Sequence, residues 1–289
     1  MFKKLFLFLF PALMLAAQSD KPAFRLFDDQ GVVVKYEKLL KDCEEADIIL
    51  FGELHNNPIV HWLQYELSKD LFEIKGDNLV LGAEMFETDN QLILNEYLDG
   101  LISVIRFETE AKLWPNYKTD YKPLVNMAKD NKLKFIATNI PRRYASMVSK
   151  GGFEILEKLT DEAKKMIAPL PIQYDANLNC YKSMLSMGGG AMGQHVNINL
   201  PKAQAIKDAT MSNNIYKNWE EGKTFIHYHG TYHSDNFESI VWYLKQKNPD
   251  LKILSIGSVS QEIIDKLDEE NLGKANIIIC VAESMTKTY

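Results

Sequence analysis

The sequence predicts an α/β fold: a mostly parallel sheet with helices on both faces, carrying a smaller all-helical insertion. Two observations predict the sheet. Short apolar runs without polar alternation recur along the chain, as strands buried on both faces require. Between them lie segments whose apolar residues recur at helical spacing, the alternation expected of a parallel sheet covered by helices. A third observation predicts the insertion: from 150 to 212 the alternation stops and only helical spacing remains. With 289 residues, 46% of them hydrophobic, the chain can bury one large domain or a domain plus an insertion.

Residues 1–20 read as a secretory leader. Met1-Phe2-Lys3-Lys4 precedes an almost unbroken apolar run from Leu5 to Ala17, a charged start followed by a hydrophobic middle. The run is shorter than the roughly 20 apolar residues of a comfortable bilayer span, so export is expected, with the mature chain starting between Gln18 and Lys21. Leu15-Ala16-Ala17 would complete a lipoprotein signal if a Cys followed, but position 18 is Gln. A cleaved soluble form, or a lipoprotein relative that has lost its lipid-bearing Cys, are the two readings, and the expected location is periplasmic or outer-membrane-associated.

The α/β domain is expected over 21–149 and 213–289. Its expected strands are 48–51, 79–83, 135–138, 225–228, 251–255 and 275–281, with expected helices over 58–72, 91–101 and 123–131. The insertion, 150–212, opens with Gly151-Gly152 and carries helical patterns over 153–167 and 202–216. Pro169, Pro171 and the run Gly188-Gly189-Gly190 lie between them. Its Met184, Met187, Met192 and Met211 suit an adaptable apolar surface that could close on a flat ligand, or equally the filling of an ordinary helical cap.

A net charge of −6 and the lack of a basic stripe exclude a nucleic-acid surface. Three widely spaced cysteines, Cys43, Cys180 and Cys280, do not form a disulfide framework; Cys280, inside Ile277-Ile278-Ile279-Cys280-Val281, reads as a core thiol.

Two copies of one pattern carry the chemistry: Gly52-Glu53-Leu54-His55 and Gly230-Thr231-Tyr232-His233, each just past an apolar run. Residues beyond the carboxyl ends of parallel strands line the crevice where ligands bind, so both histidines are candidates for one site. Glu84, in Gly82-Ala83-Glu84-Met85-Phe86, ends a strand in the same way. Taken alone it could be a rim carboxylate beside the next helix; with Glu53, His55 and His233 it completes a set able to ligate a first-row metal. His61 reads as a packing histidine. His227 and His229 share a strand face, which also fits a strand end with no chemical role. The His-Glu-x-x-His metalloprotease helix, a phosphate loop and the Gly-x-Ser-x-Gly elbow are absent from the sequence.

The insertion offers a second set: Tyr174, Tyr181 and His195. Phenolate and imidazole are both axial ligands of haem iron, and Met and aromatic neighbours could bury the macrocycle. Tyr174 and Tyr181, seven apart, would share a helix face, as two core-facing tyrosines also would. Arg142 and Arg143 could pair with haem propionates or a substrate carboxylate, or stand solvated at a helix start.

Gly-Glu-Leu-His with Asn56-Asn57-Pro58-Ile59-Val60-His61, then Glu84-Met85-Phe86, Gln91, Trp114, Tyr121-Lys122-Pro123-Leu124, Asn139-Ile140-Pro141-Arg142 and Ala203-Gln204-Ala205-Ile206-Lys207-Asp208-Ala209-Thr210-Met211 resemble, in this order, the ChaN-like iron-regulated proteins. The resemblance covers nearly the whole mature chain. It implies a haem-binding lipoprotein of bacterial iron and haem uptake, within a Tiki, TraB and erythromycin-esterase-like group defined by paired Gly-x-x-His motifs. Gln18 and the long His-rich string at 227–233 depart from the pattern. Two jobs are implied. In one, haem is held by Tyr181 or His195, with Tyr174 third, between the two subunits of a homodimer that covers the open haem face, and a haem receptor or transporter is a further partner. In the other, Glu53, His55, Glu84 and His233 hold a divalent metal that activates water for hydrolysis.

Overall fold

A computed structural model of the chain describes residues 21–187 and 197–289. The expected leader, the triple glycine, Met192 and His195 lie outside the described residues. Eight strands form one sheet: β1 (Phe24–Asp28), β2 (Val33–Val34), β3 (Ile48–Glu53), β4 (Leu79–Glu87), β5 (Phe135–Asn139), β6 (Thr224–Gly230), β7 (Ile253–Gln261) and β8 (Ile277–Ala282), in the spatial order β2-β1-β8-β7-β3-β6-β4-β5. β3 to β8 are mutually parallel, while β1 runs antiparallel to β2 and β8. The six expected strands are all present; β1 and β2, at one edge, are additions that a short run broken by Arg25 and Asp28 does not announce.

The helices are α1 (Tyr36–Glu44), α2 (Pro58–Lys75), α3 (Gln91–Leu98), α4 (Val104–Glu110), α5 (Lys122–Asp130), α6 (Arg142–Gly151), α7 (Asp161–Lys164), α8 (Asn179–Met187), α9 (Leu200–Asn218) and α10 (Ile240–Lys247). They divide between the faces by the period of the strands. Ile49, Phe51, Leu81, Ala83, Ile226 and Tyr228 pack with Val60, Leu63, Leu67 and Leu71 of α2. Their neighbours Ile48, Leu50, Val80 and Phe225 face the other way, onto Met211 and Ile215 of α9 and Ile240 and Leu244 of α10. Burial on both faces is why these strands read as unbroken apolar runs.

In the segment expected as an insertion, the helical pattern over 153–167 resolves into a 3-10 turn at Phe153–Lys158 and the single turn α7. Thr160 separates them in an extended conformation and caps α7 by accepting from the Ala163 N–H at 3.3 Å. α9 runs uninterrupted through the expected 212/213 boundary and packs against β5, α6 and α10. Among the described residues no helix is long and apolar enough to cross a membrane.

Candidate functional site

The parallel register of β3 and β6 sets Gly52 beside His229 and Glu53 beside Gly230, so the two motifs leave the sheet side by side. Their glycines make this approach possible. A Cβ on Gly52 would lie 2.8 Å from Thr231 Cα and 3.0 Å from the Ile256 carbonyl; one on Gly230 would lie 2.8 Å from both Cε1 and Nε2 of His55. Each motif's glycine is thus the floor on which the other motif rests, and Gly230 lets the His55 ring lean toward Glu84.

Around the first histidine, β3 ends in the buried Glu53 and α2 begins three residues after His55. Asn57 caps α2, its side chain accepting from Ile59 and Val60 N–H at 3.1 and 3.3 Å, with Pro58 in the first turn. This sharp entry holds His55 over the strand ends. Its Nδ1 lies 2.9 Å from Glu53 Oε1, while Glu53 Oε2 accepts from Gln64 of α2 at 2.6 Å and Tyr121 donates to Oε1. Burial acts to raise the Glu53 carboxyl, but the facing His61 and His55 and the Tyr121 hydroxyl outweigh it, and the group is held below its ordinary value. Burial likewise opposes charge on His55, yet Glu53 raises it above 6.5. The His55 side chain remains 39% exposed, its ring packs edge-on against Trp114 at 5.0 Å, and Nε2 makes no hydrogen bond among the described residues. A held imidazole with one free nitrogen can take up and hand on a proton. His61 is a structural partner, lying 2.9 Å from Gln64 Oε1 through Nδ1 and 3.1 Å from the His55 carbonyl through Nε2.

The second histidine is enclosed. His233 Nε2 lies 3.2 Å from Glu84 Oε1, and its Nδ1 bonds to Asp208 of α9. Glu84 Oε2 accepts the Gly230 N–H at 2.9 Å, and Asp208 Oδ2 accepts the Tyr181 hydroxyl at 2.8 Å. Burial disfavours the imidazolium, but two flanking carboxylates overcome it and push His233 up to about 10. The Glu84 carboxyl, against the same desolvation, falls well below its ordinary range because His233 faces it. Beneath them, His227 and His229 stack at 5.0 Å; His227 Nε2 lies 2.7 Å from Thr138 Oγ1 and His229 Nε2 lies 2.9 Å from Ser234 Oγ. Burial lowers both, His229 to about 3 with His233 adding repulsion, so this pair is neutral.

The structure therefore brings Glu53, His55, Glu84 and His233 to one sheet edge, but as two hydrogen-bonded pairs. Among the described residues no three His, Cys, Asp or Glu side chains are grouped so as to hold a metal ion. Each imidazole turns a ring nitrogen to a carboxylate, which suits proton handling. Asp208, Tyr121 and Gln64 complete the pairs. Asp208 and Tyr121 stand in the motif string of the sequence without a role; a charged residue on the apolar face of a helical pattern was the available signal for Asp208.

Tyr181 is on α8 and Tyr174 is in the preceding loop, so the expectation of one shared helix face does not hold; the rings still meet at 5.4 Å. Tyr181 is fully buried and its hydroxyl is engaged by Asp208. Tyr174 is half-buried, and its hydroxyl has no partner among the described residues. Phe153 packs edge-on against Tyr174 at 5.6 Å, and Lys202 Nζ stands 5.8 Å over the Phe153 ring. Three aromatic rings in a row thus end on a lysine, which makes no ion pair among the described residues. Arg142 and Arg143 stand at the opposite end of α6, beside Trp114. Arg143 donates to Asp89 Oδ2 at 2.5 Å, while Arg142 is 80% exposed with Glu87 Oε1 3.9 Å away.

Comparison with known proteins agrees with this architecture. ChaN of Campylobacter jejuni, solved with cofacially bound haem, superposes with a TM-score of 0.68 over 89% of this chain and 96% of that chain, at 17% identity. A mutant of the erythromycin esterase EreC, in its open conformation, gives 0.50 over 92% and 98%, at 13% identity. In sequence, 140 residues are 29% identical to the chloroplastic protein RETICULATA-RELATED 5 of Arabidopsis thaliana, covering 46% of this chain and only 18% of that much longer protein. Residues 39–244 match the family model described as haem-binding uptake, Tiki superfamily, ChaN, which takes in both Gly-x-x-His motifs and every candidate ligand named above, and the chain belongs to that family.

Proposed function

We propose that this protein is an exported haem carrier of iron uptake, taking haem on the surface formed by Phe153, α8 and the start of α9. The observation that carries the reading is the aromatic row Tyr181, Tyr174, Phe153 ending on Lys202, with the Tyr174 hydroxyl unpartnered among the described residues. The residues fit the group. Flat rings offer area to a macrocycle, a lysine suits a propionate, and a phenol is an established donor to haem iron. Bound haem would supply a ferric centre that favours an anionic oxygen donor. Tyr174 is the accessible phenol; Tyr181, tied to Asp208, supports it from beneath, and His195 is the second candidate donor. Ile198, Leu200 and Leu185, exposed on α8 and the approach to α9, give a second copy an apolar face to cover, consistent with a homodimer closing over the ligand. Delivery to a haem receptor or transporter completes the proposed role.

A haem titration followed by Soret absorbance tests the reading on the wild type and on Tyr174→Phe, Tyr181→Phe and His195→Ala. Saturable binding with a Soret shift lost in Tyr174→Phe or His195→Ala is expected; a featureless, non-saturating spectrum in the wild type overturns it.

A further inference from the structure

We propose that the cleft between Trp114 and the start of α6 binds a small aromatic carboxylate, at a site separate from the surface proposed for haem. The cleft has a volume of ≈ 340 Å³ and is lined by Glu87, Lys112, Leu113, Trp114, Arg142 and Arg143. That volume sits at the small end of small-molecule pockets, suiting a compact ligand.

Its cations are held in place from beneath. Asp89 accepts from Lys112 Nζ at 2.7 Å and from Arg143 at 2.5 Å, and Asn90 Oδ1 accepts the Lys112 backbone N–H at 3.0 Å. The Arg143 guanidinium is further fixed over the Tyr144 ring at 4.4 Å. Three cations face only two carboxylates, Glu87 and Asp89, so one positive charge is left over. That charge resides at Arg142, whose sole ion-pair contact among the described residues is Glu87 at 3.9 Å. An exposed, planar guanidinium takes a carboxylate through two parallel hydrogen bonds. Pro141 caps α6 without a side-chain bond and no acidic residue occupies its first turn, so Glu87 is the carboxylate that an incoming anion must displace from Arg142. Trp114 supplies the apolar wall, and its ring is held by an edge-on contact with His55.

The cleft is at the N-terminal end of α6, whereas Phe153 follows its C-terminal end. A helix of this length separates the two by about 15 Å. The cleft and the surface proposed for haem are therefore separate, and binding at one can fail without the other. Naphthalene-2-carboxylate and its neutral carboxamide are titrated calorimetrically into the mature protein, with a haem titration in parallel. The carboxylate is expected to bind saturably at one site and the carboxamide at least about tenfold more weakly. Arg142→Glu, at an exposed position that leaves the fold intact, is expected to weaken the carboxylate at least about tenfold while haem binding is unchanged. Trp114→Ala is expected to weaken both probes. Equal affinity for the two probes, no saturation at millimolar concentration, or undiminished binding by Arg142→Glu would overturn the proposal. So would loss of haem and probe together in Arg142→Glu, which would merge the cleft with the haem surface.

Discussion

The two Gly-x-x-His motifs occupy one sheet edge, yet their histidines live in different surroundings. His55 meets one carboxylate and keeps 39% of its side chain in solvent; His233 is 6% exposed and sits between two carboxylates. The first can exchange its proton with a ligand. The second is a buried cation whose charge is matched on both sides, and it braces Glu84 beneath the first. The tetrapeptide therefore specifies only a close backbone crossing at the sheet edge. What each histidine does is set by residues brought from elsewhere: Gln64 and Tyr121 for His55, Asp208 for His233.

The largest expected effect tests the bracing role. Asp208→Ala leaves the His233 charge with a single carboxylate and strips the Tyr181 hydroxyl of its acceptor; a loss of about 3–5 kcal/mol by urea denaturation is expected. A loss below about 1 kcal/mol, the scale of an exposed pair, would erase the contrast between the two motifs.

The same arrangement sets the pH dependence of stability. His233 is raised from 6.5 to about 10, so its contribution is complete below its ordinary value and is lost as pH climbs through about 10. Glu84 is depressed below 4.5, so its contribution is present above that value and lost as pH falls. His227 and His229, buried neutral with lowered values, make acid more costly from pH 6.5 downward. Denaturation midpoints across pH 4–10 are expected to be highest near 6.5, and a profile still rising at pH 10 would contradict a charged His233.

A smaller effect sharpens the crossing itself. Gly230→Ala places a methyl 2.8 Å from the His55 ring, which must move. A cost of about 1–3 kcal/mol is expected, with the His55 ring resonances displaced and those of His233 little changed. Unchanged His55 resonances would show that the ring does not rest on Gly230.

Much of this was legible in the chain. Strands buried on both faces must be apolar throughout, so β3 to β8 were visible as runs, and residues following those runs had to gather at one edge. Glu53, His55, Glu84 and His233 were found in this way. The pairing within the set was not visible, because a metal-like collection of His and Glu in sequence is compatible with either a chelating cluster or separate hydrogen-bonded pairs. The relative standing of the tyrosines was equally hidden. A seven-residue spacing suggests a common helix face, but the helix starts at Asn179, which leaves Tyr174 in the loop with an open hydroxyl and drives Tyr181 into the core.

The layer architecture, the edge at which chemistry-bearing residues collect, and the family can all be read from the chain before it folds. These follow from short-range patterns: apolar runs, helical periods, and motif strings a few residues long. Which carboxylate serves which imidazole, which tyrosine keeps a free hydroxyl, and the place of Arg142 over a cleft walled by Trp114 emerge with the folded arrangement. Those outcomes depend on contacts between side chains far apart in the chain, such as Asp208 on His233 and Tyr121 on Glu53. Such contacts exist only after strand register and helix packing have placed both partners, and no local pattern encodes them.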